Sequence, residues 1–131
     1  MSVHRELQDY FSKGPPVLKE YLSGIIGDHE IMDAQTEVPL LYGGHFSSNR
    51  MASVDVLYFV ASGGMKLMIP GEIKENPRYA TKGIRQIWAA CIGLSSSFAK
   101  DYEIPFGIVI SGSIEDPHII SRDFRGKTRN F

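Results

Sequence analysis

Two β-branched, aliphatic runs separated by a glycine pair restrict this chain more than any other stretch. Val54-Asp55-Val56-Leu57-Tyr58 precedes Ala61-Ser62-Gly63-Gly64, and Ile69-Pro70-Gly71-Glu72-Ile73-Lys74 follows it. Runs of this composition around a Gly-rich spacer read as two strands of a hairpin. Side chains alternate along a strand, so Glu72 and Lys74 share one face and Ile73 takes the other. With the hairpin closed, Asp55 and Glu72 approach each other at its open end. A carboxylate inside an apolar run is costly to bury unless it is paired. Two carboxylates beside an apolar wall repel unless a cation sits between them. Hard divalent ions such as Mg²⁺ take this kind of oxygen pair and keep waters in their other positions. A neighbouring lysine suits holding an attacking hydroxide or steadying charge on a phosphate.

The elements around the hairpin follow from periodicity and punctuation. Residues 2–12 read as a helix with Val3, Leu7, Tyr10 and Phe11 on its apolar face, broken by Gly14-Pro15-Pro16. A second helix is expected from Pro16 to Ile26, started by proline and stopped by Gly27. Residues 30–42 read as a strand that Pro39 confines to a sheet edge or ends. A loop over residues 43–50 leads to strands at about 53–60 and 66–74. Asn76-Pro77 or Thr81 opens a long helix reaching about Ala99. Its large apolar residues, Ile84, Ile87, Trp88, Cys91, Ile92 and Phe98, form one stripe, and the small Gly83, Ala89, Ala90, Gly93 and Ser97 lie largely opposite. Such a helix is expected to be covered on both sides, by a homodimer partner or by residues 1–26 folding over it. Phe106–Ser111 reads as a buried strand reached by a parallel crossover, and residues 117–121 as a last short strand.

Length and composition set broad limits. The 131 residues suit one domain, with N-terminal helices over 1–27, a core over 28–121 and a basic tail over 122–131. The hydrophobic fraction is 43%, no apolar run is long enough to span a membrane, and no signal-peptide core opens the chain, which implies a cytoplasmic protein. A net charge of −1 gives no electrostatic signature of nucleic-acid binding. Cys91 stands alone, so it reads as a small core residue. His4, His29, His45 and His118 lack metal-ligand spacing and read as surface or loop residues. No Walker A loop, dinucleotide glycine motif or serine-histidine-aspartate arrangement is visible.

The order Asp55, hairpin, Glu72-Ile73-Lys74 resembles the PD-(D/E)XK nuclease superfamily, the restriction-endonuclease-like fold. Its expected architecture is α/β, an αβββαβ core with a mixed central sheet flanked by helices. Glu37 ahead of Asp55, and Gln86 in the run Lys82-Gly83-Ile84-Arg85-Gln86-Ile87, extend the likeness toward RecB-like and type I restriction subunit nuclease domains. The resemblance implies a Mg²⁺- or Mn²⁺-dependent nuclease that hydrolyses phosphodiester bonds of DNA or RNA. Asp55 and Glu72, with the Ile73 carbonyl, would bind the metal. Glu37 would bind a second metal or steer water, and Lys74 would position the nucleophile. His45, Arg50, Lys82, Arg85, Arg122, Arg125 and Lys127 are the cationic or polar groups available to nucleic acid. Two departures stand out: Val54 replaces the usual proline, and Ala90 replaces a tyrosine often found one turn after the glutamine. On an ideal helix Gln86 also lies opposite the large apolar stripe, and would point away from the metal if that stripe faced the sheet. The alternatives are a non-catalytic nucleic-acid-binding or assembly module of the same fold, and a domain working only inside a larger complex.

Overall fold

The computed structural model describes residues 2–40, 52–97, 101–123 and 128–130. The Ser2 hydroxyl accepts from the Arg5 N–H at 3.2 Å and caps helix α1, Val3–Ser12. Helix α2, Pro16–Ile26, begins on a proline and ends at Gly27. Three strands follow, β1 Glu30–Leu40, β2 Ala52–Ser62 and β3 Met65–Lys74. Asn76 then opens a 3-10 turn, Pro77–Tyr79, which runs into helix α3, Ala80–Ser97. Strands β4, Phe106–Gly112, β5, Pro117–Asp123, and β6, Thr128–Asn130, complete the chain. The expected basic tail over 122–131 therefore supplies a short strand paired to β5.

The six strands lie in chain order, β1-β2-β3-β4-β5-β6. Only β3 and β4 run parallel, as expected of two strands joined through a helix; the other neighbours are antiparallel. Gly63 and Gly64 have φ of 57° and 81°, the left-handed pair that a two-residue hairpin turn requires. Pro39 lies on β1, at the sheet's edge, where its missing N–H is tolerated.

Alternation along the strands builds a core on each face. Val56, Tyr58, Val60, Leu67, Ile69, Ile108, Ile110 and Ile119 pack with Leu7, Phe11, Leu18 and Leu22 of α1 and α2. Leu57, Met68, Val109 and Ile120 pack with α3 on the other face. The protein is thus a mixed α/β sheet flanked by helices on both sides. The N-terminal helices cover the face opposite α3, so the expectation that they fold over α3 is overturned.

The face that α3 turns to the sheet also differs from the expected stripe. Ile84, Ile87, Ala90, Cys91 and Leu94 are buried, whereas Trp88 is 41% and Ile92 38% exposed. Gly83 is buried too, and a Cβ there would stand 2.7 Å from Val109 Cγ1. Ile87 sits directly over Gly107 of β4. The two glycines bring helix and sheet close together, so the contact runs through Gly83, Ile84, Ile87, Ala90, Cys91 and Leu94 and leaves Trp88 and Ile92 outside it. Cys91 is a core residue, as its setting suggests, and burial pushes its thiol up to about 12. Among the described residues no helix is long and apolar enough to cross a membrane.

Candidate metal and phosphodiester site

The site forms where β3 exchanges one neighbour for another. The β2–β3 ladder ends at the pair Val56 and Gly71, and from Gly71 onward β3 pairs with β4, placing Glu72 beside Val109 and Lys74 beside Ser111. One step beyond the last β2–β3 pair, Asp55 faces Glu72. There the Asp55 carboxylate, rather than a β2 carbonyl, accepts the Ile73 N–H, at 2.7 Å. A side chain has filled the place of a ladder bond, and it fixes Asp55 against the strand that carries Glu72. On the β1 side the register runs Thr36 to Val56 and Val38 to Val54, so Glu37 stands across from Asp55. Three acidic positions therefore form a row across three adjacent strands.

Negative charge in this row is electrostatically unfavourable. Glu72 is only 8% exposed. Burial, then the hydrogen bond and negative charge of Asp55, push its carboxyl up to about 9; Glu37 adds to the effect and the Lys74 ammonium opposes it. Burial and the neighbouring Asp55 thus favour the protonated form of the Glu72 carboxyl over the ionised one.

Asp55, Glu72, Ile73, Lys74 and Gln86 line one cavity of about 460 Å³. Gln86 thus comes to the site, contrary to the helical-wheel expectation. Gly83 and Ala90, its neighbours one turn to either side, are the residues α3 turns to the sheet, so Gln86 stands at the rim of the contact face. His4, Glu75, Asn76 and Tyr79 complete the lining. His4 Nε2 lies 3.5 Å from Asp55 Oδ2, so the histidine read as a surface residue reaches the site from α1.

Glu37 is held differently. Its backbone has φ of 53°, the left-handed region, which for a residue with a side chain costs about 1–3 kcal/mol. Its Oε1 accepts from the Gln8 side-chain amide at 3.0 Å, and it is not among the cavity residues. Gln8 had drawn no attention in the sequence, although the signal was there. It follows Leu7 and precedes Phe11 by three, so a polar side chain sits on the apolar face of α1, and His4 lies one turn before it.

The cationic candidates are dispersed. Lys82 and Arg85 are exposed on α3, near the cavity end of the helix. Arg122 places its guanidinium 5.8 Å from the centre of the Trp88 ring. His45, Arg50, Arg125 and Lys127 lie outside the described residues. Among the described residues no group of three or more His, Cys, Asp or Glu side chains is arranged to hold a metal ion. No family model, curated protein or solved structure matches the chain.

Proposed function

We propose that this cavity is a divalent-metal site for phosphodiester hydrolysis, and that the chain is a nuclease of the PD-(D/E)XK kind acting on DNA or RNA. One observation carries the reading: Asp55 and Glu72 oppose each other at the end of the β2–β3 ladder, with Lys74 beside them in the same cavity. The helix, three-strand meander, helix and parallel strand also agree with the αβββαβ order that the resemblance implies.

The donor set suits Mg²⁺ or Mn²⁺. A carboxyl that burial and a neighbouring acidic group push toward its protonated form, as at Glu72, would release that proton to a cation. Asp55, Glu72 and the Ile73 carbonyl are the groups that would hold it. When bound, such an ion supplies Lewis acidity and neutralises charge on a phosphate. The chain's own residues do the positioning. Asp55 is anchored by the Ile73 N–H, which keeps its carboxylate on the cavity side of the strand end. The Lys74 ammonium supplies a cation that orients a water and meets charge developing on a phosphate oxygen. The Gln86 amide and the exposed Tyr79 ring border the same space and can meet the sugar or base of a bound strand. The exposed Trp88 and Ile92 on α3 make a homodimer part of the same proposal.

The test uses Asp55→Asn, Glu72→Gln and Lys74→Met on single-stranded, duplex and branched DNA and on RNA, with Mg²⁺ and Mn²⁺. The first two variants should lose Mn²⁺ binding by calorimetry and cleave nothing. Lys74→Met should still bind Mn²⁺ and lose about 100- to 1,000-fold in turnover. Wild-type cleavage by any of the three overturns the assignment. Wild-type Mn²⁺ binding without cleavage of any substrate favours the non-catalytic reading.

A further inference from the structure

Gln8 is 2% exposed in the core between α1 and the sheet, flanked in its helix by Leu7 and Phe11, both fully buried. A side-chain amide nitrogen has two N–H donors. At Gln8 one donates to Glu37 Oε1 at 3.0 Å and the other to the Asp55 backbone carbonyl at 2.8 Å. Both donors of the buried amide thus go to the acidic row.

The two bonds constrain the site from its far side. Asp55 is gripped twice, at its carbonyl by Gln8 and at its carboxylate by the Ile73 N–H. The carbonyl contact fixes where the β2 backbone lies, and the carboxylate contact fixes where the side chain points. On the neighbouring strand, Glu37 adopts a φ of 53° that a glutamate does not choose by itself. A bond from a buried donor to its carboxylate holds it there and draws that carboxylate to the α1 side.

We propose that Gln8 is a positioning residue of the site: its buried amide ties Glu37 to the Asp55 backbone and so holds Asp55 in register with Glu72. The proposal rests on the metal-binding reading above. It makes α1 part of the site's framework, since the donor that joins the two strands comes from that helix. Groups that orient a metal-binding residue typically change affinity by about 10- to 100-fold when removed.

Mn²⁺ affinity decides the matter, measured by calorimetry well below each protein's melting temperature. Gln8→Met keeps the length and helix propensity of the side chain and removes its donors. It should weaken Mn²⁺ binding about 10-fold or more. Leu7→Ala is the control, since it loosens the same helix and makes no bond to the acidic row. It should melt earlier and bind Mn²⁺ as wild type does. Wild-type affinity in a folded Gln8→Met variant overturns the proposal, as does an equal loss in Leu7→Ala, which would reduce Gln8 to ordinary packing. Absence of Mn²⁺ binding by wild type overturns the metal reading and the role of Gln8 with it. Should Gln8→Met fail to fold, a Mg²⁺ titration of ¹⁵N-labelled wild type gives the answer. The Gln8 side-chain amide signals should move along the same binding curve as the Ile73 amide, and signals that stay still overturn the proposal.

Discussion

Replacing Glu72 with glutamine keeps the shape of the side chain and removes its proton equilibrium. In the folded chain, burial and Asp55 raise the Glu72 carboxyl from 4.5 to about 9. A carboxyl raised on folding binds its proton more tightly in the native state. Its contribution to stability is therefore full below the unfolded value and is lost as pH rises toward the folded value. Between about pH 5.5 and about pH 7.5 the unfolded Glu72 is ionised and the folded one is still protonated. At about 1.4 kcal/mol per pH unit, the metal-free wild type should lose about 3 kcal/mol relative to Glu72→Gln across that window. The assay is urea unfolding of both proteins in chelator at several pH values. The variant's advantage should grow steadily with pH and level off above about 9. Saturating Mn²⁺ should reverse the ranking by displacing the proton, stabilising wild type alone. Parallel stability profiles from about pH 5.5 to about pH 7.5 would show that Glu72 is already ionised in the folded protein, and the argument from burial and pairing would fall.

Two further outcomes follow from α3. Gly83→Ala places a methyl group 2.7 Å from Val109 Cγ1; overpacking should cost about 1–3 kcal/mol, exceeding the helix-propensity gain of about 1 kcal/mol, and thermal melting reads the net sign. Trp88 is 41% exposed; if the proposed homodimer uses this face, sedimentation equilibrium should show wild-type dimers and Trp88→Glu monomers, and a wild type that is monomeric at high micromolar concentration removes the dimer.

The hairpin was legible because its determinants are local. Gly63-Gly64 sets the turn, the turn sets the register, and the register places Asp55 opposite Glu72 without any knowledge of the rest of the chain. The parallel β4 was legible for a similar reason, as an apolar run after a long helix. For Gln86 the motif and the helical wheel pointed different ways, because the wheel counted Trp88 and Ile92 in the buried stripe. The contact face lies instead on Gly83, Ile84, Ile87, Ala90, Cys91 and Leu94, set by the close approach at Gly83 and Gly107, and such a fit needs both partners in view. His4 and Gln8 belong to a helix far from the hairpin in sequence. Their arrival at Asp55 depends on how α1 lies across the sheet, which no local pattern specifies; only the oddity of a glutamine between Leu7 and Phe11 hinted at it. The last strand was missed because three polar residues, Thr128-Arg129-Asn130, carry no strand periodicity.

The change of neighbours along β3 has a kinetic consequence. Its first half closes against β2 across a two-residue turn, a contact that forms within microseconds in isolated hairpins. Its second half, Glu72 to Lys74, finds its partner only in β4, after α3 and the segment behind it have been threaded back. Closing that long loop is the slower event. Asp55 can therefore be in place on a formed hairpin while Glu72 and Lys74 still lack their β4 partner, so the acidic pair meets water first and burial last. A divalent ion encountered at that stage would find two ionised carboxylates already close together, and could join the chain before the crossover has packed.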